Sequence, residues 1–305
     1  MLEHTGHCVF DEAYWLDAVA PGQWHAVEIQ RDGILVGRLP YMIKKRFGFS
    51  AISTPLYSNW LSPWIRPSGG KPTTELSHQH QILEELVKGL PKADRTYIAA
   101  APEFTNLMAL HWAGYRLGVG YTHRLDVGNA SEELLWDGLR DTVRRQIRKA
   151  QKQTQVTTTR SIEDFSKILI KTFARQGKDV SGSVPTLERI DAVMGPRNQR
   201  KIFCAEDQDG NIHAAVYVVF DERHVFYIAG GGDPAFRQSG GHSLAMWTAI
   251  LDAKDKAPIF DFVGSMVPGI EYFVRGFGAT QTPRMMGEKY STVGRIAIAL
   301  RSIRG

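Results

Sequence analysis

Two segments of the chain show the same succession of apolar and polar runs. HAVEIQRDGILVGRLPYMI (25–43) and KIFCAEDQDGNIHAAVYVVF (201–220) each consist of two apolar runs joined around an Asp-Gly pair. An Asp-Gly pair between apolar runs is the strongest short-range signal for a β-hairpin closed by a type I′ turn. We therefore predict hairpins that turn at Asp32-Gly33 and at Asp209-Gly210.

The elements predicted after the two hairpins also correspond. A further strand, a Gly-Gly loop, an amphipathic helix and another strand follow each hairpin. In the first half the loop, helix and last strand are RPSGGKPTTE (66–75), HQHQILEELVKGL (78–90) and TYIAAA (96–101). In the second half they are GGDPAFRQSGG (231–241), HSLAMWTAILDAKDK (242–256) and PIFDFVG (258–264). This order favours two copies of one α/β unit, and the alternative is chance recurrence of two common hairpins.

The polar stretch DVGNASEE (126–133) predicts the domain boundary, with domains at 1–130 and 131–305. A long helix should begin after Ser131, a good N-cap residue. Its apolar stripe is Leu135, Leu139, Val143 and Ile147, and its basic side is Arg140, Arg144, Arg145, Arg148, Lys149 and Lys152. Like charges at this spacing repel, so the basic side favours a phosphate-rich partner, or it is a solvated face. A second helix (161–178) and a polar loop over the site (177–190) should follow.

The loop at Arg237, Gly240 and Gly241 carries the strongest chemical signal. It stands where a strand passes into a helix, and the first amides of a helix have no partner within it. Glycines let the backbone approach a ligand closely, so this position predicts a phosphate or pyrophosphate site. We expect valine at Gly240 and Gly241 to abolish donor binding and leave the fold intact.

Bulk properties restrict the function classes. The chain has 305 residues, 43% hydrophobic and 23% charged, a net charge of +5 and two cysteines. This is the composition of a globular protein, and the cysteines form no metal-type or redox-type pair. No apolar run is long enough to span a membrane and the N-terminus lacks a secretory pattern, so we expect a cytoplasmic protein. The mild basicity, with a sequence pI near 9.1, fits a polyanionic ligand such as coenzyme A or RNA.

Three segments resemble the Gcn5-related N-acetyltransferase (GNAT) superfamily. LRDTVRRQIRKAQK (139–152) is similar to the basic helix that opens the BioF2-like acetyltransferase domain, which is related to the Fem peptidoglycan aminoacyltransferases. RQSGGHSLAMWTAI (237–250) is similar to the acyl-CoA pyrophosphate loop and its helix, and FDFVGSMVPGIEYFVRGFG (260–278) to the end of the core. In the first half, STPLYSNWLSPW (53–64) is similar to the family's Pro-, Tyr- and Trp-rich segment.

The resemblance implies an α/β fold, a mixed and curved sheet in tandem acyl-CoA N-acyltransferase (GNAT-like) domains. The N-terminal domain would be degenerate and face the acceptor, and the C-terminal domain would hold acyl-CoA or acetyl-CoA between two splayed parallel strands. The implied donor-binding residues are Arg237, Ser239, Gly240, Gly241, His242 and Ser243. His242 departs from the family's Gly or Ala, so it crowds the diphosphate or donates a hydrogen bond to it. Val274 and Arg275 stand where a lysine is usual.

The candidate catalytic residues are Tyr272, Asp261 and His242. The resemblance implies that Tyr272 donates the proton to the leaving thiol. Asp261 alternates with Phe260 and Phe262, so it should face the substrate cleft or solvent, and His242 is the one histidine beside the loop. Catalysis by positioning alone is the alternative. The candidate acceptor-binding residues are Tyr57, Asn59, Trp60, Trp64, Arg66, Arg148 and Arg275. His78 and His80 lack companion ligands, so no metal is expected.

The function predicted from the sequence is transfer of an acyl group from acyl-CoA to an amine in a ternary complex. The amine belongs to a small molecule or a cell-envelope precursor. One alternative is a Fem-like transferase that uses aminoacyl-tRNA, although the chain has no counterpart of the Fem helical arm. Another is a non-catalytic scaffold or nucleic-acid-binding protein. Gly230–Ala235 fits a dinucleotide fingerprint, but its strand belongs to a hairpin, and the helix that follows starts too late.

Overall fold

The computed structural model describes residues 8–175, 177, 180, 182–264 and 266–296. The chain divides into two compact units. Unit 1 comprises residues 1–120 and 283–305, and unit 2 comprises residues 121–282. The predicted domains were 1–130 and 131–305, so the units differ from them in two ways: unit 2 begins ten residues earlier, and the C-terminal segment belongs with the N-terminal half.

Besides the helical residues 292–296, unit 1 contains the following strands and helices. They are α1 (Ala13–Val19), β1 (Trp24–Arg31), β2 (Ile34–Arg46), β3 (Phe49–Ser53), β4 (Trp64–Ile65), α2 (Pro72–Lys88), β5 (Arg95–Ala99) and α3 (Met108–Trp112). The strand β6 (Arg116–Asp126) begins in unit 1 and ends in unit 2.

The remaining elements form unit 2. They are α4 (Glu132–Gly138), α5 (Asp141–Ala150), β7 (Gln155–Thr157), α6 (Ile162–Arg175), α7 (Ser183–Met194), β8 (Arg200–Glu206), β9 (Ile212–Phe220), β10 (His224–Gly232), α8 (Gly241–Ala253), β11 (Ile259–Asp261) and α9 (Pro268–Arg275). The last strand, β12 (Thr280–Tyr290), begins in unit 2 and ends in unit 1.

The two units repeat one strand order. In unit 1, β1, β2 and β3 are antiparallel neighbours, β3 pairs with β5 in parallel, and β5 pairs with β12 antiparallel. In unit 2, β8, β9 and β10 are antiparallel neighbours, β10 pairs with β11 in parallel, and β11 pairs with β6 antiparallel. Helices α2 and α8 are the crossovers of the two parallel pairs. This correspondence, in order and in polarity, confirms the predicted mixed α/β fold built from two copies.

The two predicted hairpin turns differ in geometry. Asp32 and Gly33 both have positive φ, 51° and 77°, as a type I′ turn requires. In the second hairpin Gly210 alone has positive φ, and its amide bonds to the Asp207 carbonyl. The turn therefore spans Asp207–Gly210 and is followed by a bulge, so the type I′ prediction was wrong there. The Asp207 carboxylate sets this turn geometry, because it accepts hydrogen bonds from the amides of Asp209 and Asn211.

The Asp207 carboxylate makes this turn sensitive to acid. Its bonds, first of all those from Asn211, lower its pKa from 3.8 to about 2. A depressed folded pKa contributes stability that is present above the unfolded value and is lost as pH falls through about 2. We expect the gap in thermal stability between wild type and Asp207→Asn to shrink as pH falls over that window. Parallel curves for Asp207→Asn would contradict this account.

The long helix predicted from residue 131 is two helices, so that prediction was wrong. Ser131 does cap the first helix, since its hydroxyl accepts the Leu134 amide. The chain is extended at Leu139 and Arg140, with ψ of 140° and 143°, and α5 begins at Asp141. The break lets Leu135, Leu139, Val143 and Ile147 all be buried in the core of unit 2. The predicted loop over 177–190 was also wrong in part, because α7 begins at Ser183.

Candidate functional site

The gap between β10 and β11 is the centre of the site in unit 2. The two strands pair in parallel over three residues only, and the last pair is Phe226 with Asp261. Immediately beyond it the register of β10 against β9 skips Ile228, which makes a β-bulge. A bulged residue leaves the ladder incompletely paired. The strands therefore part where β10 also offers backbone groups that its neighbour does not use.

The loop at the end of β10 is built around Gly240. Gly240 has φ of +82°, and a Cβ there would lie 2.3 Å from the main-chain oxygen of Gln146. The Ser239 hydroxyl accepts the Gly241 amide at 3.0 Å, and Gln153 Nε2 donates to the Ser239 carbonyl at 3.0 Å. Helix α5 thus fixes the loop backbone at the start of α8. The expectation that valine at Gly240 leaves the fold intact is wrong, because it collides with α5.

Polar side chains hold the first turn of α8 in place. Ser243 donates to Gln146 Oε1 at 2.7 Å. Before the loop, the His213 ring stacks on Phe236 at 3.9 Å and its Nε2 meets the Asp207 carboxylate at 3.1 Å. Arg237 is exposed, and the first turn of α8 contains no acidic residue. The predicted donor-binding residues thus form one short, rigid, anion-compatible turn.

His242 lies among aromatic side chains from two elements, α9 and β10. Its ring stacks on Phe273 of α9 with centroids 4.8 Å apart, and its Nε2 is 3.4 Å from the hydroxyl of Tyr227 on β10. Burial lowers the pKa of His242 to about 4. The imidazole is therefore neutral near neutral pH and brings no charge to a diphosphate. Tyr227 was not predicted as a site residue, although it is the first residue of β10 beyond the parting of the strands.

Asp261 is fully buried and not at a cleft or at solvent. It does face away from Phe260 and Phe262, as the alternation predicted. Its carboxylate accepts hydrogen bonds from the Thr122 hydroxyl, from Arg124 Nε at 2.6 Å and from the Val263 amide at 2.8 Å. Val263 has φ of +53°, a rare conformation for a β-branched residue. These contacts fix the backbone just beyond the end of β11, and a catalytic role for Asp261 stays a prediction.

Tyr272 is half-exposed on α9 between two arginines. The Arg140 guanidinium lies 3.9 Å from its ring centroid and donates to its carbonyl at 2.9 Å, and Arg275 lies 5.8 Å from the same ring. Arg275 also pairs with Glu271 at 2.8 Å. Glu271 is 3.9 Å from His123, a buried residue that the sequence analysis missed. Burial lowers the pKa of His123.

Partners within unit 2 account for much of the basic side predicted for 140–152. Arg144 bonds to the carbonyls of Trp136 and Asp137 and pairs with Asp141. Arg148, a predicted acceptor contact, lies 5.3 Å from the centroid of Trp136.

The predicted acceptor residues of unit 1 have unlike environments. Trp60 is completely buried, with its ring against Phe10 and its Nε1 3.2 Å from Cys8 Sγ. Tyr57, Asn59, Trp64 and Arg66 are partly exposed, and Arg66 donates to the Leu35 carbonyl at 2.9 Å. Their contact with an acceptor stays a prediction.

In the corresponding loop of unit 1 (66–75), hydrogen-bond donors are already bonded to a side chain of the same loop. The Glu75 carboxylate accepts the amide and the hydroxyl of Ser68, both at 2.7 Å. The next helix, α2, opens with Pro72, which has no amide hydrogen. A carboxylate in this position repels a phosphate and uses the donors that would bind it. The two loops therefore differ in the chemistry that matters for an anion.

Two kinds of feature are absent from the described part of the chain. Within it, no cluster of three or more His, Cys, Asp or Glu side chains is arranged to hold a metal ion. His78 and His80 each bond elsewhere, to the Arg66 carbonyl and to Asn106 Oδ1. No helix among these residues has both the length and the apolar character needed to cross a bilayer.

Residues 138–273 match the model of the GNAT acetyltransferase domain. This segment, slightly less than half of the chain, contains the parallel strands, the Gly240-Gly241 loop and α9 as far as Phe273, and over these residues it confirms the predicted resemblance to a GNAT domain. No curated protein matches the sequence.

Solved structures extend the likeness to both units. The crystal structure of FemX has 14% identity and a TM-score of 0.69, over 93% of each chain. A tandem GNAT protein from the clavulanic acid biosynthesis pathway has 11% identity and a TM-score of 0.53, over 90% of this chain and 86% of that one. The C-terminal domain of a putative lysylphosphatidylglycerol synthetase from Agrobacterium fabrum has 10% identity and a TM-score of 0.53, over 95% and 94%. The TM-scores, at such low identities, show that the chain shares the fold of these structures.

Proposed function

We propose that the protein is an N-acyltransferase that moves an acyl group from acyl-CoA to an amine. The observation that carries the proposal is the contrast between the two loops. In unit 2 the Gly240-Gly241 turn begins a helix whose first turn lacks an acid, whereas Glu75 fills the equivalent turn of unit 1. A helix N-terminus with no acidic residue in its first turn attracts a diphosphate. The GNAT domain over 138–273 supplies the reaction class.

The chemistry follows from where β10 and β11 part. With the diphosphate at Gly240-Gly241, the pantetheine arm would enter the gap and bring the thioester to the bulge at Ile228. A neutral amine attacks the carbonyl, the C–N bond forms, the C–S bond breaks, and the proton lost by nitrogen passes to the departing thiolate. Backbone amides at the bulge would stabilise the oxyanion. Tyr272 remains our candidate proton donor, and positioning would supply most of the rate.

Calorimetric titration with acetyl-CoA, free CoA and NAD tests the donor class. We expect saturable binding of both CoA compounds and none of NAD. Arg237→Gln should weaken CoA binding by roughly 10- to 150-fold, because a guanidinium bond to phosphate contributes roughly 1.5–3 kcal/mol. The matched control is Arg223→Gln, an exposed arginine just before the start of β10, which should bind as wild type does. Equal CoA affinities of the wild type, Arg237→Gln and Arg223→Gln would show that Arg237 does not contribute to CoA binding. Absence of CoA binding by the wild type would rule out acyl-CoA as the donor.

An aminoacyl-tRNA donor is the second candidate. The TM-score of 0.69 to FemX over 93% of each chain favours keeping it. So do the exposed cations Arg145, Lys149 and Lys152 on and after α5. Retention of charged tRNA on a filter, together with absence of CoA binding, would support it. In either case we propose that the acceptor amine belongs to a small molecule or a cell-envelope precursor, in contact with Tyr57, Asn59, Trp64 or Arg66.

A further inference from the structure

An unbroken run of exposed apolar residues precedes and opens α9. The sequence Met-Val-Pro-Gly-Ile at 266–270 has no polar side chain, and all five residues are exposed. The exposed fractions are 68% for Met266, 54% for Val267 and 46% for Ile270, and Tyr272 in the next turn is 54% exposed. Soluble surfaces rarely carry runs of this kind without a partner. We call residues 266–270 the apolar tip.

Cations follow the apolar tip along the surface. Arg275 stands at the other end of α9, and Arg140, which contacts Tyr272, leads into α5. Helix α5 then carries exposed Arg145, Arg148 and Lys149. The acids of these two helices are Asp141 and Glu271, and each is already paired with an arginine. The two helices therefore carry more basic than acidic side chains.

Exposed apolar side chains bordered by arginine and lysine match the chemistry of an anionic lipid surface. Apolar side chains enter the boundary between headgroups and acyl chains, while the cations meet lipid phosphates. A protein partner would suit the apolar side chains but gives no reason for the adjacent row of cations. We infer that residues 266–270, with the basic face of α5 and α9, dock the protein on an anionic membrane surface. This inference does not depend on the proposed reaction.

Vesicle co-sedimentation of the full chain tests it. We expect binding to mixed phosphatidylcholine–phosphatidylglycerol vesicles, weakening with salt, and little binding to phosphatidylcholine alone. The combined variant Met266→Ser, Val267→Ser and Ile270→Ser should lose on the order of a hundredfold in affinity. Arg145→Gln with Lys149→Gln should lose about fivefold for each cation removed. Thermal unfolding confirms that each variant is folded.

The hairpin between β2 and β3 provides the matched control. Phe47 is 94% exposed there and follows Lys44, Lys45 and Arg46. It therefore also combines an exposed apolar side chain with neighbouring cations, but with one apolar residue instead of a run. Phe47→Ser should bind vesicles as wild type does. Three results would overturn the inference: no binding by the wild type, loss of binding in Phe47→Ser, or full binding by the folded triple variant. The last would mean adsorption through charge alone.

Discussion

Asp261→Ala destabilises unit 2 by about 3–5 kcal/mol, the largest effect we expect from one side chain outside the glycines. Its buried carboxylate holds Arg124, the Thr122 hydroxyl and the Val263 amide. Removing it takes away the carboxylate that Arg124 Nε contacts at 2.6 Å, at a site where the guanidinium is only 12% exposed, and breaking a buried ion pair is costly. Urea unfolding measures the loss, and hydrogen exchange should locate it in peptides of β6 and β11.

An exposed ion pair is the control for Asp261. Glu84 and Lys88 on α2 lie 2.7 Å apart with both side chains about half-exposed or more, so Glu84→Ala should cost less than about 1 kcal/mol. The double variant Asp261→Leu, Arg124→Met should recover much of the loss, because both members of the buried ion pair are then replaced by apolar side chains. Equal losses in Asp261→Ala and Glu84→Ala would show that the buried network contributes little.

Gly240→Ala is expected to cost roughly 2–5 kcal/mol and to abolish CoA binding. A left-handed residue with a Cβ costs about 1–2 kcal/mol, and overpacking adds about 1–3 kcal/mol. The overlap arises because the new Cβ would lie 2.3 Å from the Gln146 carbonyl oxygen, which belongs to backbone and yields little. The measurements are urea unfolding and calorimetry with CoA.

Gly22 separates backbone strain from collision. It has φ of +65°, and a Cβ there has no neighbour within 4 Å. Gly22→Ala should therefore cost only the strain, about 1–2 kcal/mol, and should bind CoA normally. Similar costs at Gly22 and Gly240 would mean that the loop does not pack on α5 as described.

Local signals predicted the repeated fold well. Alternation of apolar residues and the Asp-Gly pairs identified both hairpins, and the order of elements predicted the duplication. The second turn could not be typed from Asp209-Gly210, because Asp207 competes for the backbone amides. The break at Leu139 and Arg140 was missed for a similar reason. The apolar stripe, with one residue every four positions, continues through this break. Only tertiary packing separates α4 from α5.

The sequence predicted the loop residues of the candidate site, but it did not predict the residues from other elements that contact this loop. Arg237, Ser239, Gly240, Gly241 and Ser243 belong to one turn, so sequence proximity placed them together. Gln146, Gln153 and Tyr227 come from other elements, and they were missed because long-range contacts leave no local pattern. One signal was available: Gln146 and Gln153 are neutral amides seven residues apart in a basic stretch. Asp261 was misjudged because alternation predicts the face of a strand but not what covers it.

The Glu75 carboxylate makes the two copies thermodynamically unlike. In the loop of unit 1 the amides of Ser68 and Gly70 already bond to side chains of the same loop, so they are not available to an anion. The unit 2 loop, capped only by Ser239, leaves amide donors to water, so a bound anion would stabilise unit 2 selectively by mass action. Under the proposed function, the stability of unit 2 would therefore rise with the supply of the donor, whereas the loop of unit 1 would give no such response.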